Sequence, residues 1–356
     1  MNLPKHSGCI SYLFAFLFFF IRVAGILTAE TAVTQESLGS IVPGLAPVPV
    51  QVPGPLPGET QQVASFQEIW VYMQTGDEKS LDALYPVTDV GYFGAAINYR
   101  GHLCGIPVRS KLSAYKGRVH LVVDEISSQA LTHFSLDPEY PIRTTLLTEI
   151  VDASRDYDGV QIDFEMVPAP DAENFYSFLE LLKKKIGTKT LSLAIPARTR
   201  NVGDAYDYDR ISRIVDKVIV MAYDEHWSGS VPGSIASLAW CHKVSDYALA
   251  HIGKDKLIMG LPFYGRAWTE KNPAKAYRFS GISDLITEKN IPLISRDDSV
   301  PFFSYDETVH VNVFFEDGFS IISRALMYEG LSVRAIAFWK LGQEDRSIWN
   351  RLAIIP

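Results

Sequence analysis

Asp163 and Glu165 stand two residues apart at the end of the run Tyr157-Asp158-Gly159-Val160-Gln161-Ile162-Asp163-Phe164-Glu165. Apolar and polar residues alternate along it. In an extended strand, successive side chains point to opposite faces, so Val160, Ile162 and Phe164 share one face and Gln161, Asp163 and Glu165 share the other. Two carboxylates on one face can divide the labour of acid–base chemistry when their surroundings push their pKa values apart. Alternation alone also describes the solvent face of an antiparallel sheet. The residues C-terminal to the run argue for the buried alternative. Pro168 and Pro170 lead into a segment with apolar residues at Phe175, Phe178, Leu179, Leu182 and Ile186, a helical spacing closed by Gly187, and then into a second strand, 190–195. Such a βαβ unit belongs to a parallel sheet covered by helices. A polar row there must line a barrel interior or a cleft.

The elements that would position this row recur along the chain. Eight strand candidates appear in order: 68–73, 89–97, 118–123, 159–165, 190–195, 215–223, 256–264 and 333–341. Helical patterns fall between several of them, at 144–157, 171–186, 208–214 and 237–251. The alternation predicts an α/β fold, a (β/α)8 TIM barrel over residues 65–356. An open doubly wound sheet is the second choice. The seventh and eighth strands are separated by about residues 266–331, too long for a loop and one helix. Alternating segments near 302–305 and 309–315, followed by helical 320–328, predict a small α+β insertion there.

In a TIM barrel the functional side is the C-terminal end of the strands. Asp163 and Glu165 on the fourth strand, Tyr223 and Asp224 on the sixth, Tyr264 and Trp268 after the seventh and Trp339 on the eighth would gather there. Carboxylates among aromatic plates together resemble a sugar site.

Residues before the barrel read differently. Lys5 and His6 precede an apolar run, 10–21, and small residues Val23-Ala24-Gly25 come after it, so 1–29 is expected to be an export signal or an uncleaved membrane anchor. Residues 30–64 form a proline-rich linker, with six prolines between 43 and 57 that favour extended chain. The protein is therefore expected to be exported. The formal net charge of −8, without a basic stripe, argues against a nucleic-acid partner. Cys104 and Cys241 are expected as free thiols.

Asp158-Gly-Val-Gln-Ile-Asp-Phe-Glu165 resembles the D-G-x-D-x-D-x-E signature of glycoside hydrolase family 18. Met221-Ala-Tyr-Asp224 is similar to the family's sixth-strand M-x-Y-D. The segments 260–264, 315–320 and Ala337-Phe-Trp339 resemble further family segments in the right order. Gln161 to Glu165 with Pro168, Tyr223 to Trp227 and Trp339 to Gly342 most resemble the bacterial branch of spore-germination and cortex-lytic glucosaminidases. The resemblance implies a glycosidase acting by substrate assistance on a polysaccharide containing N-acetylglucosamine, with no metal and no cofactor. It assigns Glu165 as general acid, Asp163 as the group that orients the acetamido N–H, and Tyr223 as the donor to the acetamido oxygen. Asp224 and Trp339 are implied as substrate contacts, and Gln161 and Met221 as further members of the binding site. The resemblance also carries departures. Gln161 fills the place of the first aspartate of the D-x-D-x-E core, and Leu121-Val-Val-Asp-Glu stands where the family has S-x-G-G. With an amide at 161, Asp163 is expected to titrate alone, as an anion supported by a donated hydrogen bond. A sugar-binding lectin on the same fold is the alternative, disfavoured because Glu165 is kept.

Overall fold

The structure is a computed structural model that describes residues 62–270 and 273–356. The expected signal or anchor and nearly all of the proline-rich linker lie outside these residues.

Eight strands form the barrel: β1 Glu68–Gln74, β2 Asp89–Ile97, β3 Arg118–Glu125, β4 Gly159–Phe164, β5 Thr190–Pro196, β6 Lys217–Met221, β7 Leu257–Pro262 and β8 Ala335–Trp339. Each pairs in parallel with the next in sequence, and β8 pairs with β1, which closes the ring. The strands are too rich in apolar residues to face water on either side, and closure buries both faces. Inside the ring, alternate residues such as Trp70, Tyr72, Val122, Ile219, Ile258 and Ala337 share one apolar cluster. Outside it, Val160, Ile162 and Phe164 join the larger cluster under the helices.

Helices α1 Gln129–Leu136, α2 Pro141–Ala153, α3 Ala172–Ile186, α4 Tyr208–Ile214 and α5 Leu238–His251 cover the outside. In α3 the five apolar positions read from the sequence are all buried, with Phe175 and Phe178 against Phe164 at ring distances of 6.4 and 6.0 Å. Lys183, Lys184 and Lys185 sit in its last turn, where cations oppose the helix dipole, and Gly187 at φ 66° ends it. The first two connections differ from the simple alternation. They carry only short 3-10 turns, Glu78–Ser80 and Arg109–Leu112, in place of α-helices.

After β7 the chain departs into a five-stranded antiparallel sheet. Its order is Lys275–Arg278, Tyr264–Thr269, His310–Phe314, Val300–Asp306 and Ser295–Asp297, with α6 Phe279–Glu288 packed on it through Ile282 and Ile286. Helix α7, Gly318–Gly330, then returns to the barrel, burying Ile321, Ile322, Ala325 and Tyr328 in the main core. Cys241 is a buried free thiol, whereas Cys104 takes part in a disulfide, so the expectation of two free thiols holds only for Cys241. Among the described residues no helix is long and apolar enough to cross a membrane.

Candidate active site

The inward face of β4 carries Gln161 and Asp163, both buried, and Glu165 comes one residue past the strand's end. The β3–β4 ladder continues beyond the strand, because the Glu165 N–H donates to the Glu125 carbonyl at 3.0 Å. On the next side, the Tyr206 hydroxyl donates to the Phe164 carbonyl at 2.5 Å and lies 3.4 Å from the Val167 N–H. Glu165 is thus fixed from both neighbouring connections. Among the described residues, its Oε1 and the Asp163 Oδ1 have no hydrogen-bond partner. Burial pushes Asp163 well above the usual carboxylate range, reinforced by the charges of Glu165 and Asp124. Glu165 is pushed up to about 7, first by burial and then by Asp224, Asp124 and Glu125. A carboxyl at that value still holds a proton near neutrality and can deliver it.

Tyr223 lies just past β6, and Gly260 on β7 makes room for its ring. A Cβ on Gly260 would sit 3.0 Å from Tyr223 Cε1 and 2.9 Å from the Val220 carbonyl. Burial holds the Tyr223 phenol protonated, so it is a donor at any physiological pH. Asp224 adopts φ 60°, a left-handed conformation that aspartate tolerates better than most residues. Its carboxylate accepts from the Tyr264 hydroxyl at 2.6 Å and from Arg266 Nη2 at 2.8 and 3.0 Å. Asp224 is therefore a half-buried anion held by a buried cation. Glu225, next in sequence, accepts from the Ser237 N–H at 2.7 Å at the start of α5 and anchors the far end of this loop. Met221 ends β6, paired with Pro196. Trp339 ends β8 and is nearly buried, its ring 4.8 Å from Phe93, edge-on, and 5.6 Å from Tyr72.

The structure differs from the sequence reading around Gln161. The Gln161 Oε1 accepts from the Tyr72 hydroxyl at 2.9 Å, and its Nε2 makes no hydrogen bond among the described residues. No amide hydrogen is donated to Asp163, which is not a solitary anion but a member of a carboxylate group. Asp124 on β3 is aligned in register with Asp163. Tyr72 lies in a strand read from the sequence and Asp124 directly after another, but nothing local marks either for the site, to which the register between barrel strands brings them. Tyr206, in a loop, and Arg266, in the insertion, carry no local signal either. Among the described residues no cluster of three or more His, Cys, Asp or Glu side chains is disposed to hold a metal ion.

A carboxyl poised to donate at the C-terminal end of a barrel strand, an inward carboxyl two residues before it, a phenol donor and an indole at the end of the eighth strand form a glycosidase-like constellation. The sequence profile of glycosyl hydrolases family 18 matches residues 143–344, more than half the chain. The chain belongs to this family. Within family 18 it is similar to the cortical fragment-lytic enzyme of Bacillus subtilis, 28% identical over 291 residues that cover 75% of this chain and 67% of that one. The cortical fragment-lytic enzyme of Bacillus anthracis is 30% identical over 229 residues, covering 59% of this chain and 53% of that one. The chain spans about half to two thirds of the length of such relatives. Among solved structures, the Bacillus cereus spore cortex-lytic enzyme SleL superimposes with a TM-score of 0.73 at 26% identity, covering 81% of this chain and 74% of that one. The fold is shared with a chitinase from Chromobacterium violaceum, at a TM-score of 0.70 and 21% identity, covering 80% of this chain and 97% of that one.

Proposed function

We propose that the protein is an exported, retaining glycoside hydrolase that cleaves β-1,4 bonds next to N-acetylglucosamine in peptidoglycan. The observation that carries the reading is Glu165. It is held at the mouth of the barrel by two neighbouring connections, its carboxyl is raised to about 7, and an inward carboxyl stands two residues before it.

The chemistry follows from the groups present. Glu165 protonates the glycosidic oxygen as the bond to the anomeric carbon breaks. The substrate's own 2-acetamido oxygen attacks that carbon from the opposite face, giving an oxazolinium ion. Asp163 accepts a hydrogen bond from the acetamido N–H and offsets the developing positive charge, and the Tyr223 hydroxyl donates to the acetamido oxygen and aligns it. Glu165, now a carboxylate, takes a proton from water, which opens the oxazolinium on the face the leaving group left. Two inversions give net retention. Asp224, Gln161, Met221 and Trp339 bound the sugar, with the indole as its plate.

Peptidoglycan is favoured over chitin by the names of the relatives, which act on spore cortex, and by the expected export signal and proline-rich linker. A second reading, a sugar-binding lectin on the same barrel, would leave the raised acid without a task. The deciding experiment is mass spectrometry of products after incubation with purified peptidoglycan and, in parallel, with chitin oligosaccharides. Reducing-end N-acetylglucosamine fragments from peptidoglycan support the proposal. Cleavage of chitin alone would reassign the substrate, and binding without any product would favour the lectin.

A further inference from the structure

Family resemblance leaves position 161 without its carboxylate, and the structure supplies one from elsewhere. Asp124 is the seventh residue of β3, and in the parallel β3–β4 ladder it stands opposite Asp163, as Val122 stands opposite Gln161. Residues opposite one another in a parallel pair share a face, and adjacent strands lie about 4.8 Å apart, so both carboxyl groups project side by side into the barrel mouth. The neighbouring position on β2 is Ala96, which contributes no charge. Asp163 leaves Oδ1 without a partner among the described residues, and Gln161 is turned to Tyr72.

Glu125, the other acid on β3, is directed elsewhere. Its Oε1 accepts from the Ser127 N–H at 3.0 Å and the Ser128 N–H at 3.2 Å, and its Oε2 accepts from Thr132 Oγ1 at 2.6 Å. It pins the turn into α1, and that turn holds the end of β3 beside β4. The remaining ionisable groups facing the pair are Glu165 from β4 and the phenols of Tyr72, Tyr223 and Tyr206, with Asp224 acting on Glu165 from beyond β6. Apart from Arg266, which is bound to Asp224, no cation of the described residues stands among them. Two carboxylates this close in a poorly solvated place cannot both ionise cheaply, and one proton shared between them relieves the repulsion.

We propose that Asp124 is a positioning residue that shares one proton with Asp163 across the β3–β4 ladder, doing from the neighbouring strand what Gln161 cannot. In the resting enzyme the pair holds a single proton. As positive charge develops on the oxazolinium, that proton passes from the Asp163 carboxyl to the Asp124 carboxylate. Asp163 becomes the full anion that faces the cation, and no other reactant is consumed. The proposal rests on Glu165 as the acid. Burial and Glu125 push Asp124 itself up to about 7, as a group that keeps a proton near neutrality requires.

The test is an NMR titration of protein labelled with 13C at the aspartate carboxyls, in the Glu165→Gln background so that the acid does not contribute. Wild-type Asp124 and Asp163 are expected to show the same two steps in both resonances, as a coupled pair does. In Asp124→Asn the Asp163 resonance is expected to collapse to a single step at lower pH. Independent single steps in both residues, with Asp163 unmoved by Asp124→Asn, would overturn the proposal, and the wild-type spectrum alone decides this if the variant does not fold. The second arm is the pH–rate profile with Glu165 intact, measured on muropeptides from purified peptidoglycan. Asp124→Asn should lower kcat about 10-fold with KM changed less than about 2-fold, and both limbs should move to lower pH, because Asp163 and Glu165 each lose a neighbouring anion. Gln161→Asp in the Asp124→Asn background should restore much of kcat by returning a carboxylate to β4. A profile superimposable on wild type contradicts the role of Asp124. Activity surviving Glu165→Gln contradicts the function reading instead, so the two failures are distinguishable.

Discussion

The two ends of the barrel hold buried carboxylates in opposite ways. At the N-terminal end Asp89 is fully buried, and it accepts from Arg118 at 2.6 and 2.8 Å and from His120 Nε2 at 2.8 Å. His120 is stacked on Trp70 at 4.3 Å, and Glu68 pairs with Lys217 at 2.7 Å. The Asp158-Gly159 pair at the start of β4 serves this end. A Cβ on Gly159 would meet His120 Nδ1 at 2.3 Å, and Asp158 accepts from the Val119 N–H at 2.8 Å. The bonds from His120 and Arg118 outweigh burial and hold Asp89 below the usual carboxylate range. At the C-terminal end Asp124, Asp163 and Glu165 are raised, first by burial and then by the neighbouring carboxylates, while the nearby cation, Arg266, is bound to Asp224. One end uses compensated charge to close the barrel. The other withholds compensation, and the same residue type becomes a proton store.

Three substitutions, one of them read in two ways, would break or sharpen this contrast. The largest effect is expected from Glu165→Gln, which removes the proton donor at nearly constant volume and should lower kcat about 10²–10⁴-fold with the fold intact by circular dichroism. Turnover above a tenth of wild type would remove Glu165 from its role. Next is Arg266→Met, which strips the cation from Asp224 in a buried place. It should cost about 3 kcal/mol in urea unfolding. Its more telling consequence is on pH, because an uncompensated Asp224 anion raises Glu165 further and moves the alkaline limb of the pH–rate profile upward. An unmoved limb would show that Asp224 does not act on Glu165.

Asp89→Asn tests the other end. It should cost about 1–3 kcal/mol at neutral pH while leaving kcat near wild type. Asp89 has a depressed pKa, so its contribution is present above its unfolded value and lost as pH falls through the folded one. Wild type and Asp89→Asn should therefore converge in stability below about pH 4. A constant difference down to low pH would mean that the cost is packing rather than charge. The last effect has the opposite sign. Because Glu165 is raised, ionising it weakens the fold as pH climbs from its unfolded value to about 7. Glu165→Gln should therefore gain stability relative to wild type as pH rises from 4 to 8, by about 1–3 kcal/mol. A difference that stays constant over that range would contradict the withheld compensation.

How much of the molecule is legible in its sequence depends on the range of each interaction along the chain. The β4 row, the ring of eight strands and the α+β insertion all show as local periods, so residues such as Val160, Phe175 and Val313 announce their places. The absence of α-helices after β1 and β2 does not show, because turns such as Arg109–Leu112 are fixed by tertiary contacts like the Tyr157 hydroxyl on the Pro107 carbonyl. Helix α1 is hidden too. It is two turns long, and its start depends on the Ser128 side chain accepting from Leu131 N–H and on the Glu125 network. At the candidate site, Glu165, Asp163 and Tyr223 stand within short motifs that mark them as candidates. Asp124 is not, since only the register of β3 against β4 shows that a carboxylate missing from position 161 stands one strand away.

Everything proposed for the site depends on Glu165 holding its proton to about neutral pH because it is buried among other carboxylates. Protein labelled with 13C at the glutamate side-chain carboxyls, with Glu165 assigned by its loss in Glu165→Gln, tests this without any assumption about the substrate. The expected Glu165 midpoint is near 7, where burial and the neighbouring carboxylates place it. A midpoint in the ordinary glutamate range, about 4.3, would contradict it.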